Sequence, residues 1–226
     1  AACFVIAFYV IGATFYGFTA FFEPIVREFA WSYTHVSLAS SLRGLEMGLM
    51  APLIGFVVDR LGSRKVLLWG LIITGLGFIL LSLTKSLIMF YCSFLFLSLG
   101  AGGCTSLVLM TVVADWFDKN LGKAMGIVAC GIGAGGLIVP AIVWLVDTFQ
   151  WRTTMVILGL GMWILGIPLS LVVRNKPEEL GYLHDGEPRA RAKSVPGAGD
   201  ASAMEYKQIL KSKDFCYINV AESIRF

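Results

Sequence analysis

An all-α membrane protein of six transmembrane helices, arranged as two three-helix repeats, is the fold this sequence predicts, and three observations predict it. Of its 226 residues 57% are hydrophobic and 15% charged, against about 25% charged in an average soluble domain. The charges are clustered, so that residues 1–22, 66–84, 86–114, 124–146 and 153–173 contain no Asp, Glu, Lys or Arg. Shifting the chain by 88 residues lays its second and third apolar spans on its fifth and sixth, with 11 identities in the 40 positions from Gly44 to Leu83. Backbone amides in hydrocarbon must be satisfied within the segment that carries them, which leaves helices or closed barrels. Long apolar runs without polar alternation exclude the barrel.

The first span is residues 1–22, a charge-free run of 22, where about 20 apolar residues suffice to cross the bilayer core as helix. No basic region precedes it and more spans follow, which argues against a signal peptide. The second span, 34–58, qualifies despite Arg43 and Glu46. The remaining charge-free runs of 19, 29, 23 and 21 residues make spans three to six. Between Asn175 and Lys213 the composition reverses, with 13 charged residues in 39 and a stretch from Ser194 to Asp200 rich in Pro, Gly, Ala and Ser. Such a segment cannot build a core. The expected organisation is therefore a six-helix domain over 1–174, a linker over 175–213, and at 214–226 the start of a seventh span that the chain cuts short. A missing second half is expected to follow.

Lys and Arg in short loops set orientation. Arg60, Arg64 and Lys65 follow span 2, Lys119 and Lys123 follow span 4, and Arg174 and Lys176 follow span 6. Only Arg27, Lys85 and Arg152 stand on the other side. The even-numbered loops, the linker and the N-terminus are thus expected in the cytoplasm of a multi-pass cell-membrane protein. Net charge of +3 is too small and dispersed for nucleic-acid binding. Five cysteines without C-x-x-C spacing read as small apolar residues.

The repeat is carried by more than shared aliphatics. Pro52 falls on Pro140, Val58-Asp59 on Val146-Asp147, Arg64 on Arg152 and Leu81-Ser82-Leu83 on Leu169-Ser170-Leu171. Nested three-helix units of this kind are common in secondary transporters.

The most specific motif runs from Gly55 through Asp59, Arg60, Gly62 and Arg64 to Lys65. Gly55 permits close helix approach, Gly62 a tight reversal. The cations face the anionic cytoplasmic surface, and Asp59 at the boundary suggests a partner such as a helix N-terminus or a neighbouring Arg. This loop resembles the signature of the major facilitator superfamily, G-x-x-x-D-[RK]-x-G-x-[RK]-[RK], at all six of those positions. The resemblance implies twelve helices in two six-helix halves, alternating access, and a cytoplasmic gate to which Asp59, Arg60 and Arg64 belong. Two stretches, Phe21 to Ser32 and Asp115 to Gly126, are similar to the oxalate/formate antiporter and monocarboxylate transporter branch. That similarity implies a small organic anion as solute, with protons or a counter-anion as coupling partner. Asn120 and Leu121 depart from the branch's basic residues, no Arg stands among Phe96 to Leu99, and Pro140 comes late for the antiporter Gly-Pro motif. Symport and exchange both stay open.

Within hydrocarbon, Arg43 and Glu46 lie three apart on one helix face and can pair. Intramembrane charges are functional candidates by default, and the pair is read either as substrate or coupling-ion residues or as a structural ion pair. Tyr9 and Tyr16, seven apart on one expected stripe, join Thr105 as candidates for the central cavity, since the resemblance places spans 1 and 4 around it. Gly44 with Gly48, Gly122 with Gly126 and Gly131 with Gly135 have the small-xxx-small spacing of close helix contacts. Trp31, Trp116 and Trp151 read as interfacial belt residues.

Enzymatic function is not expected. The two histidines, His35 and His184, fall outside the apolar cores, so no membrane base is at hand for an intramembrane protease. No Gly-rich Lys loop for phosphate occurs, and neither a cofactor nor a metal is expected. A six-span scaffold or receptor is the rival reading, and it leaves the loop motif, the repeat and the intramembrane charges unexplained.

Overall fold

The computed structural model describes residues 2–117 and 120–173, all in helices and short connections, with no strand among them. The expected linker, the start of a seventh span, and the cations Lys119, Arg174 and Lys176 lie outside the described residues. Among the described residues five helical segments are long and apolar enough to cross a membrane: α1 (Ala2–Phe29), α2 (Tyr33–Leu61), α3 (Ser63–Ser82), α4 (Leu87–Trp116) and α5 (Leu121–Val172). The sequence predicts six. The fifth segment, 52 residues long, takes up the last two expected spans and is broken at Gln150, where φ is 67° and ψ 156°.

That backbone conformation has a counterpart. Gly62, between α2 and α3, has φ 84° and ψ 147°, and it stands 88 residues before Gln150, the offset of the sequence repeat. At Gly62 the left-handed conformation is free of Cβ strain, whereas a Gln pays for it.

Segment boundaries follow local chemistry. Ser32 caps α2, its Oγ accepting from His35 N at 3.4 Å, and Ser86 caps α4, accepting from Met89 N at 3.3 Å. Ala30 closes α1 with φ 52°. A stack of Phe29 on Trp31, ring centroids 4.3 Å apart, covers that turn. The helix α1 therefore runs seven residues beyond its charge-free stretch, and Glu23 and Arg27 on its extension form an i,i+4 pair at 2.7 Å.

The tightest helix pair is α3 with α4, and glycines make it so. A Cβ on Gly77 would lie 2.5 Å from Leu97 Cα, and one on Gly100 2.5 Å from Thr74 N. Cys104, at the end of this seam, donates its thiol to Leu67 O at 3.6 Å. The helix α1 crosses α5 at Gly12 and Gly135, where a Cβ on Gly12 would sit 2.7 Å from Gly135 O. Both helices are irregular at that crossing, α1 with a π-turn over Gly12–Tyr16 and α5 with a 3₁₀ turn over Gly135–Ile138. By contrast α2 has only 11% of its most apolar window buried.

Three expected packing glycines meet no other helix among the described residues. Gly44, Gly48 and Gly55 share one face of α2, and a Cβ on any of them would meet nothing within 4 Å. Among the described residues no helix covers that face. The same holds for Gly122 and Gly126. Gly131 and Gly135 do stand at a contact, the first against Phe4 O and the second against Gly12.

Candidate functional site

The intramembrane charges on α2 separate. Arg43 turns toward α1 and is 6% exposed. Its Nη1 donates to Thr14 O at 2.6 Å, its guanidinium carbon lies 3.6 Å from the centroid of the Phe15 ring, and Phe94 of α4 stands on the buried side at 6.0 Å. Nε and Nη2 are buried without a hydrogen-bond partner. Glu46 is half-buried and turns instead toward α4, with its Oε2 unpartnered. The expected pairing is thus corrected. A π-turn is a place where a helix carbonyl leaves the regular ladder, and Arg43 takes the carbonyl of Thr14 in preference to the neighbouring carboxylate.

Glu46 lines a cavity of about 210 Å³ between α2 and α4, whose wall includes Met50, Ser98, Thr105 and Ser106. Thr105 sits where α4 is interrupted, its Oγ1 donating to Gly102 O at 2.8 Å. The structure thereby brings together two of the five expected solute residues, Glu46 and Thr105, and leaves Arg43, Tyr9 and Tyr16 elsewhere.

The tyrosines do not share a stripe. In the π-turn Gly17 N bonds Gly12 O at 2.7 Å, an i→i+5 bond, so each residue turns through a smaller angle than in an α-helix. Tyr9 faces α5, donating from its hydroxyl to Leu158 O at 3.2 Å and standing against Gly161. Tyr16, beyond the π-turn, is 41% exposed. Residue spacing alone carries no sign of a π-turn, and for the same reason nothing in the sequence marks Phe15, the aromatic ring nearest the Arg43 charge.

The loop motif occupies the reversal between α2 and α3. Gly62 N closes the end of α2 on Val58 O at 2.9 Å, Arg60 lies over the Phe56 ring at 4.5 Å, and Asp59, Arg60 and Lys65 are exposed while Arg64 is half-buried. At the corresponding place after Gln150, Arg152 forms a second cluster. It donates to Ser82 O and, at 2.8 Å, to Thr84 O, and its Nη2 pairs with Glu28 at 2.8 Å. Trp151 Nε1 donates to the same carboxylate at 2.5 Å. Arg152, just after the break in α5, thereby ties the ends of α1 and α3 to that break. The sequence pointed to this position through the repeat, as the equivalent of Arg64.

Comparison with known proteins agrees with this architecture. The family model described as Major Facilitator Superfamily matches residues 2–221. The fujikurins efflux protein of Gibberella fujikuroi is 32% identical over 94 residues, 42% of this chain and 20% of that protein. Monocarboxylate transporter 12 of Xenopus laevis is 28% identical over 222 residues, 91% of this chain and 46% of that protein. This chain thus spans less than half the length of these relatives. Among solved structures, a bacterial homologue of the human lysosomal transporter Spinster, inward-facing and unoccupied, superimposes with a TM-score of 0.69 at 19% identity, over 88% of this chain and 44% of that one.

Proposed function

The chain belongs to the Major Facilitator Superfamily, and from that premise we propose that it is part of a secondary active transporter moving a small organic anion, a mono- or dicarboxylate, by alternating access. The observation that carries the anion is Arg43, a buried guanidinium on an apolar helix with no counter-charge bonded to it. A charge in that setting is costly and is retained where it meets a solute or a coupling ion. The similarity to a monocarboxylate transporter supports the same solute class.

In this reading α5 counts as two spans divided at Gln150, giving six helices in two three-helix repeats. The matching conformations of Gly62 and Gln150 support the division. Residues 1–174 form the first six-helix domain, with residues 175–213 as linker and 214–226 as the start of a seventh helix. The N-terminus and linker face the cytoplasm of the cell membrane. Asp59, Arg60 and Arg64, carried by the Gly62 reversal, latch the cytoplasmic side in one state. Glu46 and Thr105 line the solute path, and the coupling partner is a proton or a counter-anion. A second reading is a carrier for a non-carboxylate solute; similarity to the fujikurins efflux protein, named for a different solute, keeps it open to test.

Uptake of labelled oxalate, formate, lactate and pyruvate into proteoliposomes holding the full-length protein tests this. Saturable uptake of one acid, lost in Arg43→Ala, is the expected result. Its dependence on preloaded counter-anion or on a proton gradient separates exchange from symport. No uptake of any acid by inserted, folded protein removes the carboxylate reading. The gate is tested by Asp59→Asn, which should lower flux without impairing insertion; wild-type flux sinks that assignment.

A further inference from the structure

Arg43 has two faces and two bidentate edges, and the structure disposes of them unequally. Its Nη1 is committed to Thr14 O, while the Nε–H and Nη2–H groups, which point the same way and form the side-on fork of a guanidinium, have no partner. Two parallel donors match the two oxygens of one carboxylate. Phe94, 1% exposed and packed against Phe18 at 4.6 Å and Phe90 at 6.0 Å, stands 6.0 Å from the guanidinium carbon. Phe15 stands nearer, its ring centroid 3.6 Å away, and is 36% exposed, on a π-turn rather than in regular helix. The deeper ring is held among buried aromatics. The nearer one is partly exposed.

We propose that Phe15 is a displaceable aromatic cover on Arg43, and that moving it opens the Nε/Nη2 edge as the binding fork for the carboxylate of the solute. This rests on the reading of Arg43 as a solute residue and adds to it the residue that controls access. In the closed state the ring quadrupole stands in for an anion; in the open state a carboxylate replaces it and satisfies both idle donors. Phe15 therefore competes with the solute for Arg43, and removing the ring strengthens carboxylate binding instead of weakening it. A ring that merely packed against the site would have the opposite effect.

The test is reaction of Arg43 with phenylglyoxal in the full-length reconstituted protein, read by peptide mass, with labelling of exposed Arg60 as internal reference. Wild type is compared with Phe15→Ala and with Phe15→Leu, which keeps most of the bulk but no π-face, each with and without oxalate or lactate. The expected result is that Arg43 labels roughly fivefold faster in both variants, that the carboxylate suppresses this labelling, and that it does so at lower concentration than in wild type. Unchanged Arg43 labelling in both variants, with carboxylate protection intact, overturns the cover and leaves Arg43 as a solute residue. Failure of every carboxylate to protect Arg43 in any of the proteins overturns the site and the reading beneath it.

Discussion

Gly62 and Gln150 occupy equivalent places in the sequence repeat and hold the same left-handed, extended backbone, φ 84° and 67° respectively. One is the residue suited to it and the other is not, so exchanging the residue types should move stability in opposite directions. A non-glycine side chain in this region costs about 1–3 kcal/mol. Gly62→Gln is expected to lose that strain less about 0.5–1 kcal/mol regained from a more restricted unfolded chain, a net loss of about 1 kcal/mol. Gln150→Gly recovers the strain but gives back about 0.5–1 kcal/mol through the greater freedom of an unfolded glycine, so the net gain is about 1 kcal/mol. Nothing else at Gln150 should change, because the Thr154 hydroxyl bonds its backbone carbonyl, at 2.9 Å, and not its side chain. Thermal unfolding of the detergent-solubilised protein, followed by tryptophan fluorescence, reads the difference as a midpoint shift of about 2–4 °C per kcal/mol. A lowered midpoint for Gln150→Gly, or an unchanged one for Gly62→Gln, refutes the reasoning and with it the structural equivalence of the two reversals.

At the α3/α4 crossing, Gly77→Ala and Gly100→Ala should each cost about 1–3 kcal/mol, since each new Cβ would meet backbone atoms at 2.5 Å. The double variant should cost less than the sum, because one separation of the helices serves both; additive losses in unfolding midpoint argue against a shared crossing. Arg152→Ala should lower stability by about 1–2 kcal/mol through the carbonyls at the end of α3. Arg152→Lys should recover part of it, and Glu28→Gln should cost under about 1 kcal/mol because the Glu28 side chain is 42% exposed. An Arg152→Ala midpoint equal to wild type contradicts the clamp. Tyr9→Phe should cost about 1 kcal/mol of stability while leaving the KM for transport unchanged; a raised KM with unchanged stability returns Tyr9 to the cavity.

What the sequence determined by itself are those properties that depend on one-dimensional quantities. Hydrocarbon excludes charge and demands internal backbone pairing, so the absence of charge over runs of 19 to 29 residues marks the apolar helices directly. A fixed offset of 88 residues exposed the repeat, and glycine at position 62 announced a reversal that only glycine makes freely. The cavity candidates Glu46 and Thr105 were also legible, one as an intramembrane charge and one through the family resemblance.

Tertiary structure decided the rest. Spacing along an ideal helix put Arg43 on Glu46 and Tyr9 beneath Tyr16, but a π-turn at Gly12–Tyr16 rotated one tyrosine away and supplied Arg43 with the carbonyl of Thr14. Likewise a G-x-x-x-G pattern states only that a helix is able to approach another closely, not whether one is there. Gly44 and Gly48 fit the pattern and meet no other helix among the described residues, whereas Gly77 and Gly100 fit no pattern with each other and stand where an added Cβ would lie 2.5 Å from the facing backbone. A contact between helices is a property of two surfaces, and one strand of sequence specifies only one of them at a time.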